Sequence, residues 1–143
     1  MKISFKDCLE KKKIFRFEPA KQLVDLEIED AESDLCSAQE ESSKSGFKWA
    51  TIKGYYSMFH SARALLYSRG YREKGHYCLY LALKAFFVQE NKLEPKLAED
   101  FNNSIILRED ADYRRKFSQE GAQAVIESAK RFLKATKEIL SKE

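Results

Sequence analysis

GYYSMFHSARALLYSRGYREKGHY (residues 54–77) is the stretch on which the fold turns. At 100° per residue, Ile52, Tyr55, Tyr56, Phe59, Leu66 and Tyr67 gather on one side of a helix, and Arg63 falls among them. The opposite side carries Ala50, Ser57, Ser61, Ala64 and Ser68, small residues that permit close backbone approach, with Lys53 as its one ion. A helix with so little charge around it must be covered by several neighbours, so this segment is predicted to be the centre of a bundle. The helix is predicted from about Phe47 to Arg69, closed by Gly70 in a left-handed conformation with Tyr71 packing behind it.

Working outward, the breakers mark the other elements. Ser4 is placed to cap a short helix through Lys12, "IFRFEP" is irregular, and Pro19 suits a first helical position. Val24, Ile28, Ala31, Leu35 and Ala38 follow at 4-3-4-3 spacing, a long helix that "EESSKSG" ends. A third long segment runs from about His76 to Glu90. Pro95 opens a fourth, with Leu97, Phe101 and Ile105 on one face and Asp112-Tyr113 at its frayed end or turn. Ser118 caps the last, whose stripe from Ala122 to Leu140 lies opposite Lys130, Lys134 and Lys137. Long helices with short connections imply an all-α, antiparallel up-and-down bundle of four long helices plus a short N-terminal one, forming one domain over residues 1–143.

The composition agrees. The chain has 143 residues, 43% hydrophobic and 34% charged, with only 5 Gly and 2 Pro, which disfavours sandwiches and barrels that need turn residues at short intervals. A net charge of +3 is too mild to indicate nucleic-acid binding by itself. Abundant Lys and Glu with few amides fit a protein from a hot environment. Cys8, Cys36 and Cys78 are odd in number, far apart and in no C-x-x-C, so neither a disulfide framework nor a zinc site is expected, and reduced thiols in the cytoplasm are. No signal peptide is read at the N-terminus, and no apolar run approaches a membrane span.

Candidate functional residues begin with the arginines. Arg108 repeats the oddity of Arg63, projecting among Leu97, Phe101 and Ile105 with Asp112 one turn on. Burial of such a charge requires a carboxylate, backbone carbonyls, a phosphate, or a side chain long enough to carry its head to water. For Arg63 a packed stem with a local partner competes with a functional cleft or subunit interface; for Arg108 an ion pair with Asp112 competes likewise. His60 lies at the edge of the aromatic face, either a satisfied structural histidine or a catalytic one. His76 begins a helix after Lys74 and Gly75, as a cap or as part of an anion site with Lys74. The tyrosines are core residues or stacking platforms. No Gly-rich phosphate loop, H-E-x-x-H metal spacing or G-x-S-x-G motif occurs, so classical enzyme signatures are missing and no cofactor or metal is expected.

The pattern Y-x-x-F-H-x-A-R-A-L-L-x-x-R-G-Y over Tyr56 to Tyr71, followed by "KGH", "LREDADY" and an Ala-rich last helix, resembles the HEPN family (higher eukaryotes and prokaryotes nucleotide-binding), and within it the small stand-alone prokaryotic proteins. The resemblance runs from about Pro19 to the end. It implies a helical bundle, usually a homodimer, often paired with a minimal nucleotidyltransferase in a toxin-antitoxin-like system. Other members are metal-independent ribonucleases with an R-x(4-6)-H motif on the fourth helix. Arg108 stands in the matching place, but Tyr113, Arg114 and Arg115 occupy the histidine's positions, and a tyrosine of ordinary pKa near 10 is a poor general base. In some paired members a tyrosine near this motif accepts AMP, and Tyr113 resembles it. Beside the resemblance, the two arginines on apolar faces suggest that a homodimer cleft of Arg63, Arg108, Asp112 and Tyr113, with Lys74 and His76 as a candidate anion site, meets a nucleotide, an RNA or a nucleotidyltransferase without full ribonuclease activity. The alternatives are a ribonuclease using Arg108 with His60 or Tyr113, and a purely structural dimerisation adaptor.

Overall fold

A computed structural model describes residues 3–143 and shows an all-α bundle carrying one small two-stranded sheet. In chain order the elements are α1 (Phe5–Glu10), β1 (Ile14–Arg16), a 3-10 turn (Ala20–Leu23), α2 (Val24–Ser43), α3 (Phe47–Ser68), β2 (Tyr71–Glu73), α4 (His76–Leu83) continued by a π-helical turn (Lys84–Val88), α5 (Pro95–Tyr113) and α6 (Gln119–Ser141). Ser4 starts α1 with a capping box: its hydroxyl accepts from the Asp7 amide, and its own amide donates to the Asp7 carboxylate. Ser118 caps α6 through the Gly121 amide.

The central position predicted for α3 is observed, since it packs against α2, α4, α5 and α6. The small face does what its composition implies. Ser57 Oγ donates to the Ala31 carbonyl of α2 at 2.8 Å. At Gly54 the backbones of α3 and α6 approach so closely that a Cβ there would stand 2.7 Å from Val125 Cγ1. The aromatic side contributes Tyr55, which stacks with Phe101 of α5, and Phe101 in turn meets Phe132 of α6.

Three features depart from expectation. The irregular segment after α1 and the residues behind Gly70 pair as an antiparallel ladder, Ile14 opposite Glu73 and Arg16 opposite Tyr71. Three-residue strands carry too little alternation to be read from a sequence, and the turn into β2 depends on Gly70 at φ +83°. The long third helix changes to π geometry at Lys84 and is then ended by Asn91 at φ +58°. Finally, Cys8 and Cys78 form a disulfide that ties α1 to α4, while Cys36 is a free, exposed thiol, so the expectation of three reduced cysteines is corrected. The sequence separation of 70 between the two half-cystines hides the pair, because proximity comes from the β1–β2 ladder and not from spacing. No helix among the described residues is long and apolar enough to cross a membrane.

Candidate functional site

The ladder register explains Arg63. Directly opposed residues share a face of a sheet, so Glu73 is drawn into the interior with its neighbour Ile14, and both are at most 5% exposed. There the Arg63 fork meets it, Nε donating to Oε1 at 3.2 Å and Nη2 to Oε2 at 2.5 Å. Nη1 lies 3.6 Å from Glu27 Oε1, and the guanidinium stacks over Phe59. Arg63 is therefore engaged by two carboxylates and an aromatic face.

His60, one turn back on α3, is clasped in the same layer. Its Nδ1 is 2.6 Å from Glu27 Oε2 and its Nε2 is 3.5 Å from Asp34 Oδ2. Burial pulls the imidazole pKa down, but Glu27, Asp34 and Asp30 together hold it above the ordinary histidine range. The carboxylate partners were legible as a second stripe on α2, because Glu27, Ala31, Asp34 and Ala38 also repeat at 4-3-4 spacing.

Arg108 has a different environment. Its guanidinium sits 5.4–5.6 Å from the rings of Tyr55, Tyr56 and Tyr113, a cage of three tyrosines. Nη2 donates to Tyr56 Oη at 3.1 Å and lies 3.4 Å from Asp112 Oδ2, whereas the buried Nε has no partner among the described residues. Tyr55 is deeply buried, and that burial pushes its phenol well above the ordinary tyrosine range. Tyr113 is the opposite case, 68% exposed at the end of α5.

His76, at the start of α4, lies within electrostatic reach of Arg108 and Glu109. Burial is the main cause that holds its imidazole below the ordinary range; Glu109 opposes this and Arg108 reinforces it. Lys74 stays at the end of the two-stranded ladder, over the Phe15 ring. Of the residues singled out in the sequence, the fold thus gathers Arg108, Asp112 and Tyr113 with His76 nearby, and places Arg63 and His60 in a separate ion-pair layer. Phe59 lies between the two groups, close to Tyr55 and Tyr56 on one side and under Arg63 on the other. Tyr56 is the member that sequence reasoning missed, since its hydroxyl role is invisible in an apolar helical stripe.

The HEPN domain family matches residues 24–140, most of the chain, and the chain belongs to that family. Among its relatives are two proteins of Methanocaldococcus jannaschii. One, named "Putative toxin MJ0605", is 34% identical over 118 residues, covering 79% of this chain and 88% of the relative. The other, named "Putative toxin MJ0142", is 29% identical over 115 residues, covering 79% and 78% respectively.

Proposed function

We propose that this HEPN protein is the toxin-like member of a two-component pair, working as a homodimer, and that the Arg108–Asp112–Tyr113 patch is where nucleotide chemistry reaches it. The observation that carries the reading is the state of Arg108: caged by tyrosines, imperfectly paired, and adjacent to an exposed phenol. A guanidinium is a planar fork suited to phosphate oxygens, and Tyr113 Oη is accessible as an acceptor. With a minimal nucleotidyltransferase as partner, that oxygen attacks the α-phosphorus of ATP. The bond to the β-phosphate breaks, pyrophosphate leaves with the electron pair, and the phenolic proton passes to a base or solvent. Arg108 would steady the transferred phosphate. The names of the two archaeal relatives support a toxin role.

The test is a calorimetric titration with AMP and ATP, alongside intact-mass measurement after incubation with ATP and a nucleotidyltransferase encoded beside this protein. Arg108→Ala is expected to weaken nucleotide binding about ten-fold or more, and Tyr113→Phe to abolish the gain of one AMP group. Binding unchanged in Arg108→Ala, together with no modification of Tyr113, would leave Arg108 as a structural residue of an adaptor. Light scattering on the purified protein checks the dimer.

One observation favours a second reading as a metal-independent ribonuclease. His60 is held by Glu27 and Asp34, but His76 lies in reach of Arg108, and burial holds its pKa below the ordinary histidine range, which favours the neutral imidazole that a general base for a 2′-hydroxyl requires. Cleavage of RNA in the presence of chelator, lost in both Arg108→Ala and His76→Ala, is the expected signature. Equal cleavage by the variants identifies a contaminating nuclease.

A further inference from the structure

We propose that Glu27, Asp30 and His60 bind a divalent transition-metal cation of the zinc class, which clamps α2 to α3. The site lies in the Arg63 layer, apart from the Arg108 patch, and stands or falls independently of the nucleotide reading. One carboxylate oxygen from each acid and one ring nitrogen of His60 lie within 4.8 Å of one another. Two ligands about 2.1 Å from one tetrahedral ion are about 3.4 Å apart, so the widest-spaced pair must close by about 1.4 Å while Glu27 Oε2 and His60 Nδ1, now 2.6 Å apart, open slightly. Asp30 is exposed and, among the described residues, makes no ion pair, so a change of its rotamer supplies that movement.

The surroundings are those of a supported ligand set and not of a loose acidic patch. Glu27 divides its oxygens: Oε1 faces Arg63 Nη1 at 3.6 Å, which fixes the carboxylate, and Oε2 faces His60 Nδ1 at 2.6 Å. The other ring nitrogen of His60, Nε2, faces Asp34 Oδ2 at 3.5 Å. An imidazole that ligates a metal through one nitrogen and donates its other N–H to a carboxylate is the recurrent arrangement that orients such ligands. Here Nδ1 is the ligating atom, Asp34 is the positioning carboxylate, and the ion takes the place of the hydrogen now shared by His60 and Glu27.

Charge points the same way. Glu27, Asp30, Asp34 and Glu73 converge on this layer, where Arg63, shared between Glu73 and Glu27 Oε1, leaves Glu27 Oε2, Asp30 and Asp34 facing His60. Lys53 reaches Asp34 electrostatically but is paired with Glu41 at 3.3 Å. An imidazole with two carboxylates selects zinc, manganese or iron over magnesium and calcium, which prefer all-oxygen shells.

The experiment uses the full chain with Cys36→Ser, which removes the exposed thiol as a rival ligand, stripped with EDTA and titrated with Zn²⁺ by calorimetry. Mg²⁺ is the counter-probe. The expected result is one saturable equivalent of Zn²⁺ per chain, a metal-dependent rise in melting temperature, and no response to Mg²⁺. Asp30→Asn should weaken Zn²⁺ at least ten-fold while leaving the melting temperature of the metal-free protein unchanged, and Asp34→Asn should give a smaller loss. Co²⁺ should give a ligand-field spectrum that Asp30→Asn and His60→Ala lose. Absence of a saturable equivalent, or equal affinity in Asp30→Asn, overturns the site.

Discussion

Removing Arg63 should destabilise the fold far more than removing Arg108. In Arg63→Ala the Glu73 carboxylate, whose side chain is 3% exposed, loses both bonds of the fork and stays in the interior. Breaking a buried pair from one side costs about 3–5 kcal/mol, because the remaining charge is left uncompensated. For a domain of this size that is a fall in melting temperature of roughly 6–20 °C. The pair itself is worth little net, since its attraction mainly offsets desolvation. Arg63→Met with Glu73→Leu should therefore return to within about 1–2 kcal/mol of the parent. Arg108→Ala removes one tyrosine hydrogen bond, a loose contact to Asp112 and stacking on three rings, so about 1–2 kcal/mol is expected. Denaturant unfolding followed by far-UV circular dichroism, in EDTA so that no metal contributes, gives all four values. A loss under about 1 kcal/mol in Arg63→Ala, or a double variant no better than the single one, would refute the claim that Arg63 neutralises Glu73.

Three further outcomes follow from the geometry. Native oxidised protein should show one thiol to an alkylating reagent, Cys36, and three after reduction and unfolding; losing the bridge should cost about 4 kcal/mol by chain entropy for a loop this long, and an unchanged melting temperature in reductant would contradict it. Gly54→Ala should lose about 1 kcal/mol, since crowding against Val125 at about 1–3 kcal/mol exceeds the gain of ~1 kcal/mol in helix propensity, and Val125→Ala should relieve the crowding in a double-mutant cycle. His76, whose folded pKa lies below its unfolded value near 6.5, binds its proton more readily when unfolded, so its contribution is full above about pH 6.5 and declines as pH falls through the folded value. His60 is shifted the other way and opposes this, so the measurement is the difference between parent and His76→Gln between about pH 7 and pH 5, and no difference would show that burial of His76 carries no penalty.

The bundle was legible in the sequence because helical periodicity and capping are local. Ser4, Gly70, Pro95 and Ser118 each mark a boundary by chemistry within a few residues. What stayed hidden depends on which distant segments meet. The β1–β2 ladder joins residues about 60 apart in the chain and decides two of the features that sequence reasoning missed, the Cys8–Cys78 bridge and the burial of Glu73. Once Glu73 is inside, Arg63 has a partner, and an arginine on an apolar face needs no ligand to account for it. The same test applied to Arg108 gives the opposite answer. Its nearest acid, Asp112, is half-exposed and 3.4 Å away, its closest donor contact is to a neutral phenol, and Nε is buried without a partner. Two arginines indistinguishable by helical wheel are thus separated by how completely each charge is answered, and the proposed anion site is placed at the incompletely answered one. That difference, more than any motif, is why the functional reading rests on α5 and not on α3.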